Sequence, residues 1–341
     1  MISPIEPPLV SILIPCKNAE PYLEECIESV VSQSYNNWEL IIVDDNSEDQ
    51  SLSIIQKWSD NHQNIRYLRN DQSGIITALR MAYTNSTGQL ITRMDADDIM
   101  TRDKLKIMVS QMTKSGKGYV ATGKVEYFRN DKPLGDGYRR YAEWLNSMSV
   151  KGQNFEGIYK ECVIASPCWM IYRQDLDEIG AFGSDIYPED YDLVFRMYQH
   201  DLTIIPCTDN ILHLWRDHGD RASRNDENYR DNRFLDLKIK YFIDIDYESD
   251  SPMILWGAGS KGKYIAQQLN SLGIEYHWIT NNERKIDHNI YGKILQSTAS
   301  LHDIHRPQVI ISVANSEDQR NIKEAVQSNE RESQPTLYWF C

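Results

Sequence analysis

Within its first hundred residues the chain alternates short apolar runs with amphipathic stretches, and few folds tolerate that rhythm. "LVSILIP" (Leu9 to Pro15) is an apolar run closed by proline, a buried-strand signal. "EPYLEECIESVVSQ" then sets Tyr22, Leu23, Cys26, Ile27, Val30 and Val31 at three- and four-residue spacing, one face of a helix. "WELIIV" (Trp38 to Val43), "NIRYLRN" and "QLITRM" repeat the strand signal, and "DQSLSIIQKWSD" and "GIITALRMAYTNSTG" repeat the helix signal, with Gly88 as the expected stop of the latter. Such a β-α-β-α-β-α-β order predicts a mostly parallel sheet with helices on both faces. Ligands of such sheets gather outside the carboxyl ends of the strands. The second strand ends on Asp44 and Asp45, and the fourth on "MDADDIM", with Asp95, Asp97 and Asp98. Topology alone makes both acidic clusters site candidates.

Three neighbouring carboxylates repel one another and raise one another's pKa, so either water solvates them or a cation holds them. In an extended segment Asp95 and Asp97 project to the same side, about 6.5 to 7 Å apart. So placed, they can share one Mg2+ or Mn2+ and leave coordination sites for substrate phosphates. The cation would neutralise a leaving diphosphate, which is Lewis-acid work. Asp98 then points away and caps the helix expected near Thr101. A solvated acidic turn explains the same residues without metal. Asp44 and Asp45 suit hydrogen bonds from ribose hydroxyls or a uracil N–H. "DDNSED" is equally good turn and N-cap chemistry, with Asn46 or Ser47 as the cap of the second helix.

Residues 101–245 are less regular. "KLKIMVSQM" reads as a helix, and "YVATGKVEYF" and "SPCWMIYR" as strands. "PEDYDLVFRMYQH" reads as a helix opened by Pro188, and "NRFLDLKIKYFIDI" as a terminal helix. Tyr138 to Tyr159 reads as aromatic and irregular; Tyr138, Tyr141, Trp144, Phe155 and Tyr159 are stacking surfaces for sugar rings or core residues. Glu189, Asp190 and Asp192 favour a helix macrodipole, and one such carboxylate beside an acceptor hydroxyl would serve as a general base.

"VSILIPCKNAEPYLEECIESVVSQSYNNWELIIVDDNSED" followed by "RNDQSGIITALRMAYTNSTGQLITRMDADDIM" resembles the nucleotide-sugar-binding half of the family-2 inverting glycosyltransferases, which have the GT-A fold. The resemblance spans Leu9 to Leu105 and continues to about Asn225. It implies a nucleoside diphosphate sugar donor, UDP-linked, a Mn2+ or Mg2+ cofactor, and a glycan or lipid-linked acceptor. By motif position it assigns nucleotide contacts to Pro15, Asn18, Glu20, Asp44 or Asp45, Gly74, Arg80, Asp95, Ala96 and Arg216. It assigns the metal to Asp95 and Asp97, with His218 of "WRDHGDRAS" as third ligand. It makes Asp190 the base and Glu189 a helper or acceptor-binding group. Arg221 and Arg224 are alternates to Arg216, and this loop is a candidate lid ordered by nucleotide.

"DIDYESDSP" (Asp244 to Pro252) reads as a linker, after which the strand–helix rhythm restarts. The expected domains are 1–245, a GT-A transferase domain, and 251–341, a small Rossmann-like α/β domain. In the latter, Gly257, Gly259 and Gly262 fit G-x-G-x-x-G between a strand and a helix, a dinucleotide fingerprint and candidate second nucleotide site. "HWITNNER" offers no acid where an NAD-binding strand usually ends; Glu283 comes late. An oligomerising or structural module is the other reading of this domain. Two further function classes follow: an NAD(P)-binding sugar-modifying oxidoreductase, and a non-catalytic sugar-nucleotide-binding scaffold. A nucleotidyltransferase needs a glycine-rich basic loop after the first strand, and "PCKNAEPYL" has no glycine.

A formal net charge of −14 argues against a nucleic-acid partner. No apolar run approaches the ~18 residues of a membrane span, so any membrane association would be peripheral. "MISPIEPPLV" is no secretory signal. Six cysteines without a C-x-x-C pair read as free thiols in a reducing compartment. The expected location is the cytoplasm, including the inner face of the membrane.

Overall fold

The computed structural model describes residues 6–219, 221, 233–327 and 334–341. They form two compact units, Met1–Glu156 with Cys162–Asn225, and Gly157–Glu161 with Asp226–Cys341.

The first unit opens with β1 (Val10–Cys16), α1 (Glu20–Val31), β2 (Trp38–Asp44), α2 (Ser51–Asn61), β3 (Ile65–Arg69), α3 (Ile75–Thr84) and β4 (Leu90–Arg93). β1 pairs in parallel with β2 and β4, and β2 with β3. The unbroken apolar runs of β1 and β2 are buried along almost their whole length because helices cover both faces of a parallel sheet. The chain continues through β5 (Ile99–Met100), α4 (Lys104–Ser115), β6 (Tyr119–Phe128), α5 (Asp136–Ser149), β7 (Trp169–Tyr172), α6 (Arg173–Glu178), α7 (Glu189–Gln199) and β8 (Thr203–Arg216). The eight strands lie in the order β3-β2-β1-β4-β7-β6-β8-β5. β7 runs antiparallel between β4 and β6, and β5 antiparallel to β8.

Three local expectations change. Most of the stretch from Tyr138 is helix α5, which buries Ala142, Leu145 and Ser149 on one face. Helix α2 starts at Ser51, whose N–H donates to Asp49 Oδ1 at 2.9 Å; Asn46 and Ser47 lie in the preceding loop. Helix α3 stops at Thr84, and Gly88 serves packing instead: a Cβ there would lie 2.6 Å from the Ser11 backbone nitrogen.

The second unit carries β9 (Met253–Trp256), β10 (His277–Thr280), β11 (Asn289–Ile290), β12 (Lys293–Ser297), β13 (Gln308–Ile311) and β14 (Thr336–Trp339) in the order β11-β12-β10-β9-β13-β14. All but the β11–β12 pair are parallel. It also holds α8 (Arg233–Tyr241), α9 (Ser260–Ser271) and α10 (Ser316–Gln327). Helix α8 groups with this unit, whereas the linker composition draws the boundary after it, at 245/251. Aromatic packing explains the difference. Phe242, directly after α8, is fully buried and its ring meets Tyr338 at 4.8 Å and Tyr159 at 5.8 Å. Among the described residues no helix is long and apolar enough to cross a membrane, and all six cysteines are free.

Candidate active site

The carboxyl ends of β3, β2, β1 and β4 place four loops side by side, and polar side chains stitch them together. Asn18 accepts the Glu48 N–H at 2.8 Å while its own N–H donates to Ser47 Oγ, and Glu20 accepts the Gln50 N–H at 3.0 Å. The Asp45 carboxylate accepts the Gly74 N–H at 2.8 and 2.9 Å and Asn70 Nδ2 at 2.6 Å. Gly74 has φ of +120°, which glycine adopts without strain. Asp45 thus fixes the turn into α3. Asp44 differs: its Oδ2 is buried, has no hydrogen-bond partner, and lies 3.9 Å from the Arg69 Nε. Buried carboxylate oxygens ordinarily have a donor. Pro15 is the penultimate residue of β1, paired with Val43 beside Asp44.

The acidic segment after β4 is a turn, closed by the Asp98 N–H on the Asp95 carbonyl at 3.3 Å. The same-side argument for Asp95 and Asp97 assumed an extended chain and does not describe it. Ala96 is buried at the turn. The Asp95 and Asp97 side chains are 20% and 23% exposed, whereas Asp98 is 0% exposed. Asp98 does not cap α4, where Asp103 holds the N-cap position. Its Oδ1 accepts the Arg216 N–H at 2.8 Å and its Oδ2 lies 2.9 Å from His213 Nε2. Lys104 Nζ, itself 0% exposed, reaches His213 Nδ1 at 3.2 Å and the Pro167 carbonyl. Burial, then Lys104 and Arg221, push the His213 pKa well down, so its imidazole is neutral; Nδ1 accepts from the ammonium and Nε2–H donates to Asp98. Burial, then the Asp97 and Asp95 charges, push the Asp98 carboxyl up.

Arg216, assigned to the diphosphate, is 2% exposed. Its Nε donates to the Asp97 carbonyl at 2.7 Å, Nη2 pairs with Glu25, and the guanidinium lies over Phe128 and Tyr22. Through these two nitrogens it ties the turn to α1 from behind. Arg80 is committed to the Phe182 and Gly183 carbonyls and Asp185 Oδ1. Arg221 lies over the Trp215 and Tyr127 rings, and Arg224 lies outside the described residues.

His218 Nε2 lies 2.8 Å from Asp97 Oδ2, and its Nδ1 is buried without a hydrogen-bond partner. Burial alone would raise the Asp97 carboxyl, but the His218 hydrogen bond and the Arg221 charge outweigh it and hold the group low. Two partly open carboxylates and an imidazole are a donor set that fits Mn2+ or Mg2+.

The base candidates meet this turn through a residue the motifs omit. Arg93 Nε donates to Asp95 Oδ1 at 2.9 Å and Nη1 to Glu189 Oε1 at 2.8 Å. Glu189 and Asp190 open α7 directly after Pro188. Half-buried Asp190 is pushed up to about 7, by burial and then by the Glu189 charge, against the pull of Arg93. The sequence signal for Arg93 was an arginine inside an apolar strand. For Lys104 it was a lysine at four-residue spacing from Met108 and Met112 on the buried stripe of α4.

In the second unit, Gly257 (φ +117°) and Gly262 sit where a Cβ would strike Ser312 Oγ at 2.6 Å and the Gly257 carbonyl at 2.2 Å. A Cβ on Gly259 would meet open space. Asn281 follows β10 and accepts Trp256 Nε1–H at 2.5 Å, so no acid stands at the ribose position.

Residues 11–180 match the family model described as glycosyl transferase family 2. Glycosyltransferase GlyA of Streptococcus pneumoniae is 26% identical over 194 residues, 52% of this chain and 27% of that protein. Putative teichuronic acid biosynthesis glycosyltransferase TuaG of Bacillus subtilis is 33% identical over 129 residues, 37% of this chain and 51% of TuaG. The chain thus spans about a quarter to a half of the length of these curated relatives. Among solved structures, Staphylococcus aureus TarS 1–349 in complex with UDP-GlcNAc superposes with a TM-score of 0.54 at 18% identity, over 76% of this chain and 71% of that one. The first unit has the GT-A fold, and the second sheet is an addition to it.

Proposed function

Since this chain belongs to glycosyl transferase family 2 through residues 11–180, we propose that it is a metal-dependent, inverting glycosyltransferase. It moves a sugar from a UDP-linked donor to a hydroxyl of a glycan or lipid-linked acceptor. The observation that carries the reading is the meeting of the acidic turn with the start of α7 through Arg93, beside an Asp190 whose carboxyl burial and the Glu189 charge push up to about 7. A base works best with a pKa near the working pH.

The nucleoside would lie over the loop after β2, where Asp44 or Asp45 would accept its donors; Asp44 Oδ2, buried without a partner, comes within reach only if that loop shifts. Asp45 and Asn70 keep the Gly74 turn in place behind it. Asp95, Asp97 and His218 would hold Mn2+ or Mg2+, and the bound cation would supply charge to offset that of a leaving diphosphate. Among the described residues no three His, Cys, Asp or Glu side chains are gathered as a ready metal cage, so these three would have to draw together around the ion. Asp190 takes the acceptor hydroxyl proton as that oxygen bonds to the anomeric carbon. The bond from that carbon to the diphosphate breaks, its electron pair leaves with the diphosphate, and the configuration inverts. In the oxidoreductase alternative, the position directly after β10 is Asn281 rather than a carboxylate, and Glu283 comes two residues later.

Calorimetry with UDP, with and without Mn2+, tests the donor half. Mn2+ is expected to tighten UDP binding to the wild type and not to Asp97→Ala. Absence of Mn2+-dependent nucleoside diphosphate release from UDP-, GDP- and dTDP-sugars alike sinks the reading.

A further inference from the structure

Arg93 ends β4 with its side chain 7% exposed, and its strand partner is Leu13 in the middle of the sheet. A buried guanidinium is costly unless its charge is met by hydrogen-bonded partners. Here the two partners come from different parts of the site. Asp95 belongs to the turn assigned to the donor, and Glu189 is the first residue of the helix that carries the base. Both contacts are charge-assisted and short, and they use two different nitrogens of one planar group.

We propose that Arg93 is a positioning residue for sugar transfer, a strut that fixes the donor-side turn against the start of α7 and so holds Asp190 at reacting distance from the bound donor. The inference rests on the transferase reading above. A guanidinium suits this task because its fork is rigid, whereas an ammonium in its place would supply charge without fixed direction. Misplacing a reacting group by about 1 Å can cost about 100-fold in rate. The groups that act on Asp190 are Glu189 and Asp95, which hold its proton on, and Arg93 with the Tyr191 N–H, which favour its release. Arg93 is the cation among them. Its removal therefore leaves the base both looser and harder to ionise.

The test compares Arg93→Gln, Arg93→Lys, Glu189→Gln and the double variant Arg93→Gln/Glu189→Gln in the full chain. Transfer is followed as a function of pH, and UDP binding by calorimetry. Arg93→Gln is expected to lower kcat by about 100-fold, to weaken UDP affinity by far less than that, and to move the kcat–pH inflection up by about 1 to 3 units. Arg93→Lys is expected to restore the inflection but little of kcat. Glu189→Gln cuts the same strut from the other side, so the double variant is expected to be no worse than the poorer single one. Additive losses, or a wild-type kcat and inflection in Arg93→Gln, overturn the inference. So does loss of cooperative melting in all the variants, which assigns Arg93 to folding alone. A wild-type chain with no activity on any donor removes the transferase reading itself, a different outcome from these.

Discussion

Asp190 is held in two minds by its neighbours, and its stability contribution has a definite sign. Its folded pKa, about 7, lies above that of an aspartate in an unfolded chain. The folded protein therefore binds the proton more tightly, and that contribution is complete below about pH 4 and lost as pH rises through about 7. Asp190→Asn removes the titration. The variant is expected to melt later than wild type above pH 7, by about 1 to 3 kcal/mol of unfolding free energy, with the two curves converging near pH 4. Urea titrations at the two pH values measure this, and parallel curves would show that Asp190 is not desolvated. At this scale the sequence named several of the chemical groups but not their partners. Asp98 looked like an outward cap and is a buried acceptor for His213 and Arg216. Arg216, a phosphate ligand by motif position, is buried and braces the turn in this structure. Both roles depend on β8 returning beside β5, a pairing between residues more than a hundred positions apart that no local spacing encodes.

At the scale of elements, the strand–helix alternation was legible because parallel strands buried on both faces leave continuous apolar runs. Helix α5 was not, because its polar and aromatic residues mask the stripe of Tyr138, Tyr141, Ala142, Leu145 and Met148. The acidic turn is hidden for a similar reason: strand periodicity stops at Arg93, two residues before the aspartates. The glycine loop of the second unit separates its glycines by role. Gly262→Ala drives a Cβ into the Gly257 carbonyl and has to push α9 off β9, so a loss of at least about 1 to 3 kcal/mol is expected. Gly259→Ala faces open space and is expected to change stability by about 0.5 kcal/mol or less. Thermal melting of the two variants separates these roles; equal effects would contradict the packing geometry.

At the scale of the molecule, the two-part organisation was readable from the restart of the strand rhythm near Met253. Its boundary was not, because α8 is polar enough in sequence to pass for the end of the first domain, while the chain just beyond it carries Phe242 into an aromatic cluster with Tyr159, Tyr338 and Phe340. The family match, residues 11–180, covers most of the first unit and stops short of Asp190 and His218; the chemistry proposed here draws on that unit alone. Its central claim is that one carboxylate at the start of α7 removes the acceptor's proton while the acidic turn holds the donor. The most direct measurement is the transfer rate of Asp190→Asn beside wild type, with UDP affinity determined on the same samples. A rate lower by about 100- to 10,000-fold at unchanged UDP affinity is the predicted result; a wild-type rate in Asp190→Asn would contradict the account.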